Sequence, residues 1–562
     1  MIGKYIFNNL IRNLIDNKKP KNMRLKKFIG HTRSFYRMAF LALMLASIYA
    51  CNKEDSVTGP PTSLTEMGSA VTLVHADTSL VLQWDPGRAA WEGDDRRAEI
   101  TYEVQVSSDS TFKDASQNVI DFLTDSTSIF LSDQELTPLE PYFARVRTVS
   151  STGTGDSPWM RTSRFQVRPI DLFTPIKVWN LSHEAVVLNF GRHGELTKMV
   201  VEKADGTDSQ EFNVSNDELI TMELDGLTSN TGYVARLFRH DGRPLGELEF
   251  STKPTVEEAG YIDLRGSSDP MILQNTLNTV PDGSVIALKR GMTYTMGGFT
   301  LDRGVTLVSE PGFGPQARIE MSSSFNVEGT MDLVKFEDVH FTGDIGGSYV
   351  FNISREAAIN KVEFEACRIS ELRGVMRLQS AGPKTVNEYV INNSIVQNIG
   401  NYNALTIDHN DASVRDIRWT NSTFINLQYL LRHGGSVDAT LNSMLIENTT
   451  LYHSPSDNRH IIDASRGEIG SLTVRNTLIG YTSGGRSFNR VMPNSITVSN
   501  SFATSDITWG SNTQQRMIEG VIAYGRTSEQ VFANPDKSNY ANSDLTIIDE
   551  ALFTVGDPRW RP

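Results

Sequence analysis

Charged and amide side chains recur at stacked offsets through the C-terminal half of the chain: Asn352, Arg377, Asp408, Arg432 and Asp463. His409, Asp411, His433, His460 and Arg466 lie close to them in sequence. Eliminative cleavage of an acidic sugar chain needs three things: a cation beside the carboxylate, a base such as Arg, Lys or His for the neighbouring proton, and stabilisation of the enolate. Arg377, Asp408, His409 and Arg432 are the candidates for that chemistry. Arg377, Asp408, Arg432, His433 and Asp463 are the candidates for substrate contact. Asp408, Asp411 and Asp463 offer the oxygen ligands that Ca²⁺ prefers, which makes Ca²⁺ the candidate cofactor. The competing reading is a solvated charged face.

Whether these residues meet depends on the elements that carry them. The segments 350–353, 375–378, 404–408, 429–432 and 461–463 read as short strands. Alternation puts Leu405 and Ile407 inward and Thr406 and Asp408 outward, and sets Arg377 and Arg432 outward on neighbouring rungs. A second signal sets the period. Phe336-Glu-Asp-Val-His-Phe341 returns as variants starting at 364, 391, 419, 446, 474 and 498, so the spacings are 28, 27, 28, 27, 28 and 24 residues. A fixed period of this size marks a repeat architecture. Each phrase is short and β-branched between Gly, Asn, Ser and Asp, so it reads as one strand per coil of a parallel β-solenoid. Its third position is Asn at 393, 421, 448, 476 and 500, which predicts an inward ladder of stacked amides. Asn421-Ser-Thr and Asn448-Thr-Thr match a glycosylation pattern, but an inward amide carries no glycan.

On these residues the stretch from roughly 258 onward resembles the right-handed parallel β-helices of the pectate-lyase-like class. That resemblance implies a groove over one sheet that binds extended glycan. Ile407-Asp-His409 resembles the Ile-Asp-His step of pectate lyases, without the acidic and Arg-Pro motifs around it. Asp408 and Asp411 stand without the Asn-Thr-Asp and Gly-Asp-Asp phrases of polygalacturonases, which disfavours hydrolysis. Ahead of the coils, Asp269-Pro270 starts a helix with Ile272, Leu273, Leu277 and Val280 on one face, a candidate end cap. Trp560 is the expected plug of the other end. The closing stretch from Asp544 to Trp560 resembles uncharacterised β-helix proteins of Bacteroidota polysaccharide-utilisation loci.

The N-terminal half reads differently. A basic stretch, then Met38 to Ala50 as a short apolar run, then Cys51 make a secretory signal that resembles a bacterial lipobox. Met23 is an alternative start for it. The resemblance implies that Cys51 carries lipid, and Asn52-Lys-Glu-Asp-Ser56 resembles the surface-export signal of Bacteroidota lipoproteins. The expected divisions are a signal region at 1–50, a tether at 51–61, sandwiches at 62–168 and 169–253, and the capped β-helix at 254–562. Trp84, the Leu136-x-Pro138 step before Tyr142, and Leu227 before Tyr233 resemble fibronectin type III modules. Phe190 and Ser229 depart from that pattern where a Trp and a Pro would stand. Trp91 and Trp179 are candidates for stacking on sugar. The other cysteine, Cys367, falls inside a repeat, so a disulfide framework is excluded.

The fold class expected is therefore all-β: two fibronectin type III-like sandwiches and a right-handed parallel β-helix. A net charge of −14 argues against nucleic acid as partner. The expectation is an outer-membrane surface lipoprotein that binds, and in one version processes, acidic or pectin-like polysaccharide, with an outer-membrane glycan-import complex as a further partner. A polysaccharide lyase and a non-enzymatic adhesive or structural protein are the alternatives.

Overall fold

The computed structural model describes residues 65–561 except 76–78, 90, 93–95, 98–99, 151–154, 169, 192, 215–219, 435–440, 457, 465–466, 486, 490–493 and 510–517. Cys51, the signal region and Arg466 lie outside the described residues.

The chain is nearly all β and divides into two compact units. The first is a sandwich of a three-stranded sheet (72–75, 80–83, 128–131) on a four-stranded one (160–161, 143–150, 100–107, 118–124). Trp84 meets Tyr102 edge-on in its core at 5.3 Å between ring centres. The second unit holds the other sandwich and the solenoid. In that sandwich Phe190 is fully buried where a Trp was expected, and Phe173 meets it edge-on. Tyr233 accepts a hydrogen bond from the Thr228 amide at 2.8 Å, the corner bond that ties a strand start to the preceding loop. Both sandwiches are fibronectin type III-like.

The solenoid is built from three parallel sheets of ten, ten and eight strands. A coil visits each sheet in turn. Strands 329–337, 357–365, 384–392 and 412–420 lie side by side in the first. Strands 293–296, 317–321, 339–343, 368–372, 395–399 and 423–427 build the second. Strands 349–353, 374–378, 405–407 and 431–433 build the third. One hydrophobic core runs the length of the coils, with Phe325, Phe336, Phe351, Phe364, Tyr389 and Trp419 stacked inside. Helix 272–277 turns Leu273 and Leu277 into that core at the start of the array.

The repeated phrase is a corner, not a single strand. Its first residues end the first sheet, its third residue turns, and its last residues begin the second sheet. Asp338, Ala366, Asn393, Asn421, Asn448, Asn476 and Asn500 all sit at positive φ, between 43° and 55°. Asn tolerates this left-handed region better than other side chains, which explains its recurrence there. The amide ladder exists in part: Asn448 Nδ2 donates to Asn421 Oδ1 at 3.1 Å, and Asn421 Nδ2 donates to Asn392 Oδ1 at 2.9 Å. These amides are half-buried at the rim instead of pointing inward. The inward column is the next residue, Cys367, Ser394, Ser422, Thr449 and Thr477. Ser394 Oγ accepts the Cys367 amide, Ser422 Oγ the Ser394 amide and Ser501 Oγ the Thr477 amide, so small hydroxyls close the backbone at these corners.

Trp560 does not plug the end. Residues 528–561 return along the outside of the second sheet and build a separate core there from Ile425, Tyr452, Leu478, Val531, Phe532, Leu545 and Ile547, with Trp560 packed against it.

Candidate functional site

Of the residues expected on the third sheet, Arg377, Asp408 and Arg432 come together. Arg377 stands one strand from Thr406 and Thr406 one strand from Arg432. Asp408 lies between the two guanidiniums, 2.9 Å from Arg377 Nη2 and 3.3 Å from Arg432 Nη1. Arg377 also lies 4.1 Å over the ring of Tyr402, which has Arg373 at 4.7 Å and meets Tyr349 edge-on at 5.5 Å. Thr406 was expected outward with Asp408, but it is fully buried and donates to the Tyr402 carbonyl at 2.8 Å. His433 is also fully buried and Asp463 is 5% exposed, so neither faces a surface groove. His433 follows the alternation, buried next to the half-buried Arg432, whereas Thr406 and Asp463 hold the same register line as Arg377 and Arg432 and are covered there. His409 and Asp411 sit in the adjoining turn, where Asp411 accepts the Gly382 amide at 2.9 Å and His409 Nδ1 accepts the Asp411 amide at 3.2 Å. Asp408, Asp411 and Asp463 do not converge: among the described residues no three His, Cys, Asp or Glu side chains are grouped as a metal would need. Asp408 is instead committed to two cations.

A different column carries uncommitted charge. On the outer face of the second sheet Thr293, Arg318, His340 and Arg368 occupy one register line on four successive strands. They line a cleft of about 510 Å³, with Gly291, Gly314, Pro315 and Gln316 along its side. Arg318 and Arg368 are exposed and His340 between them is half-buried. Among the described residues neither guanidinium has a carboxylate within ion-pair distance, whereas Arg377, Arg432, Arg290 and Arg355 all do. At one rung per strand the two arginines are roughly 10 Å apart.

The cleft wall is held from behind. Arg290 forms an ion pair with Asp338 and donates to the Gly314 carbonyl at 3.2 Å, which pins the 310–316 loop to the corner under His340. Gln316 Nε2 bridges Asp338 Oδ1 at 2.9 Å and the Ala366 carbonyl at 2.7 Å. Burial pushes the Asp338 carboxyl up, against the pull of Arg290. Burial, then Arg368 and Arg318, push the His340 imidazole down to about 4. It is therefore neutral near pH 7. Its Nε2 shares a hydrogen bond with Ser370 Oγ at 2.9 Å. The cleft thus offers two free guanidiniums about a neutral imidazole, an arrangement suited to carboxylate or sulfate groups on an extended chain.

The signal for this column was present in the repeats. His340 and Arg368 take the fifth position of their phrases, and the later phrases put Ile395, Thr423, Thr450, Leu478 and Phe502 there.

A family profile, described as a domain of unknown function (DUF4957), matches residues 292–427. The match takes in every lining residue of the cleft except Gly291, takes in the Arg377–Asp408 pair, and stops before Arg432. No curated protein matches the chain. Among solved structures, the chain is similar to the FN1–FN3 domains of chicken CNTN1, with 17% identity over 34% of this chain and 68% of that one and a TM-score of 0.15. It is also similar to a two-module fibronectin type III segment of chicken tenascin, with 12% identity over 32% of this chain and 96% of that one and a TM-score of 0.17.

Proposed function

We propose that the protein binds an acidic polysaccharide along the second sheet of the solenoid, with Arg318 and Arg368 gripping anionic groups on either side of His340. The observation that carries this reading is the pair of exposed arginines on one register line of a cleft, neither with a carboxylate partner among the described residues. The Arg377–Asp408–Arg432 row is a weaker contact surface, because its central carboxylate already meets both cations. The same reading takes Cys51 as lipidated, the protein as anchored at the outer face of the outer membrane, the sandwiches as spacers, and a glycan-import complex as partner. Retention of the purified protein on gels carrying polygalacturonate, alginate or a neutral glucan tests it. Retardation by the acidic gels alone supports the reading, and equal mobility on all of them contradicts it.

A second reading, eliminative cleavage, is favoured by His340: a neutral imidazole between two guanidiniums is a base placed beside a neutralised carboxylate. Incubating the protein with acidic polysaccharides and following ultraviolet absorbance of an unsaturated product decides between binding alone and cleavage.

A further inference from the structure

The outer face of the second sheet is open over its first coils and closed over the later ones. Arg318 and Arg368 are exposed, Ile395 on the next strand is half-buried, and Thr423, Thr450 and Leu478 further along the same line are fully buried. What covers them is the protein's own C-terminal segment. The Asp557 carboxylate accepts from Thr423 Oγ1 at 2.7 Å, and the Asp557 amide donates to Thr450 Oγ1 at 2.9 Å. Trp560 Nε1 donates to Thr423 Oγ1 at 2.7 Å. Arg559 Nη2 reaches back to the Asn393 carbonyl at 2.6 Å, on the coil next to Arg368. The second sandwich backs this strap: the Arg559 guanidinium lies 4.0 Å over the ring of Trp179, and Lys177 Nζ donates to the Arg559 carbonyl at 3.2 Å.

A glycan lying along the solenoid axis therefore cannot run the length of this sheet. A chain laid over Thr293, Arg318 and His340 along that axis would meet the strap beyond Arg368. From Thr293 to Arg368 the open line is roughly 14 Å long at one rung per strand. The wall is built from mutually bonded groups, the buried Asp557 and the half-buried Arg559 and Trp560, and belongs to the folded structure.

Resting on the acidic-polysaccharide reading above, we propose that the cleft takes the terminus of an anionic polysaccharide chain and not an internal stretch of it. The ligand class is a short acidic oligosaccharide segment carrying a free end.

Calorimetric titration of the full chain with polygalacturonate and alginate fractions of increasing length tests this. End recognition predicts a fixed number of proteins bound per polymer chain whatever its length, so that capacity per gram falls in inverse proportion to length. It also predicts that short oligomers bind as tightly as long ones once they fill the cleft. Capacity per gram that stays constant with length means internal binding and overturns the end-on proposal while leaving acidic-glycan binding intact. No heat with any acidic polymer overturns both. The R559A variant removes the part of the strap nearest Arg368, and it is expected to shift the stoichiometry toward length-dependent loading. Should that variant not fold, the wild-type length series alone decides the question.

Discussion

Thr423 and Asp557 are hydrogen-bonded at 2.7 Å although 134 positions separate them in the chain. The bond fastens the C-terminal strap to the middle of the second sheet, and Thr423 Oγ1 also accepts from Trp560 Nε1. One hydroxyl thus serves the buried Asp557 carboxylate and the half-buried Trp560 indole.

Replacing it by Val leaves Asp557 with one donor fewer and Trp560 without that acceptor. Thr423→Val is expected to cost about 1–3 kcal/mol in chemical denaturation, with faster amide exchange over 555–561. Unchanged stability and exchange would mean that the strap is held by its apolar contacts alone.

Arg377→Ala is expected to act on stability more than on binding. It takes one of two cations from Asp408 and uncovers Tyr402. The pair is only partly screened from water, so the loss is set at about 1–2 kcal/mol, read as a lower denaturation midpoint with glycan retention unchanged. Lost retention at unchanged stability would move the binding surface to the third sheet.

The corner asparagines make two separable contributions. Asn448→Gly keeps a residue that accepts φ near 48° but removes the bond to Asn421. Asn448→Ala loses the bond and adds the cost of a Cβ in the left-handed region, about 1 kcal/mol more. Denaturation midpoints should fall in the order wild type, Gly, Ala. An Ala variant as stable as the Gly variant would contradict the backbone argument.

The His340 imidazole is pushed from 6.5 to about 4, so the fold favours its neutral form. That contribution is fully present above 6.5, where both folded and unfolded chains are neutral at this site. It is lost as pH falls from 6.5 toward 4 and changes no further below, because both states are then protonated. The loss is on the order of 3 kcal/mol. Unfolding free energies at pH 7 and pH 4.5 should therefore diverge less in His340→Gln than in the wild type. An equal drop in both proteins would show that the histidine titrates normally.

Much of this architecture was legible in the repeats. Period, parallel stacking and the end-cap helix follow from apolar positions whose spacing a core enforces. The Asn column was visible but its direction was not, since a left-handed corner and an inward ladder demand the same residue. The Arg377–Asp408 meeting was foreseen from alternation; His433 obeys the same alternation by facing inward, and the burial of Thr406 and Asp463 on the outward line depends on packing that alternation does not encode. The Arg318 column was harder to see: Arg318 belongs to a coil that lacks the repeated phrase. The chemistry of the fifth phrase position also changes meaning only once the strap is known to cover Thr423 and Thr450. No local pattern in residues 528–561 announces where that segment docks.

The central claim is that Arg318 and Arg368 bind anionic glycan, and the most direct test is the retention of Arg318→Ala, Arg368→Ala and the double variant on acidic-glycan gels. Both side chains are exposed and free of ion pairs among the described residues, so thermal stability should be unchanged. Each charge-assisted contact is worth about 1.5–3 kcal/mol, so each single variant should bind at least about tenfold more weakly and the double variant should run with the protein on neutral gels. Wild-type retention by the double variant at unchanged stability would contradict the account.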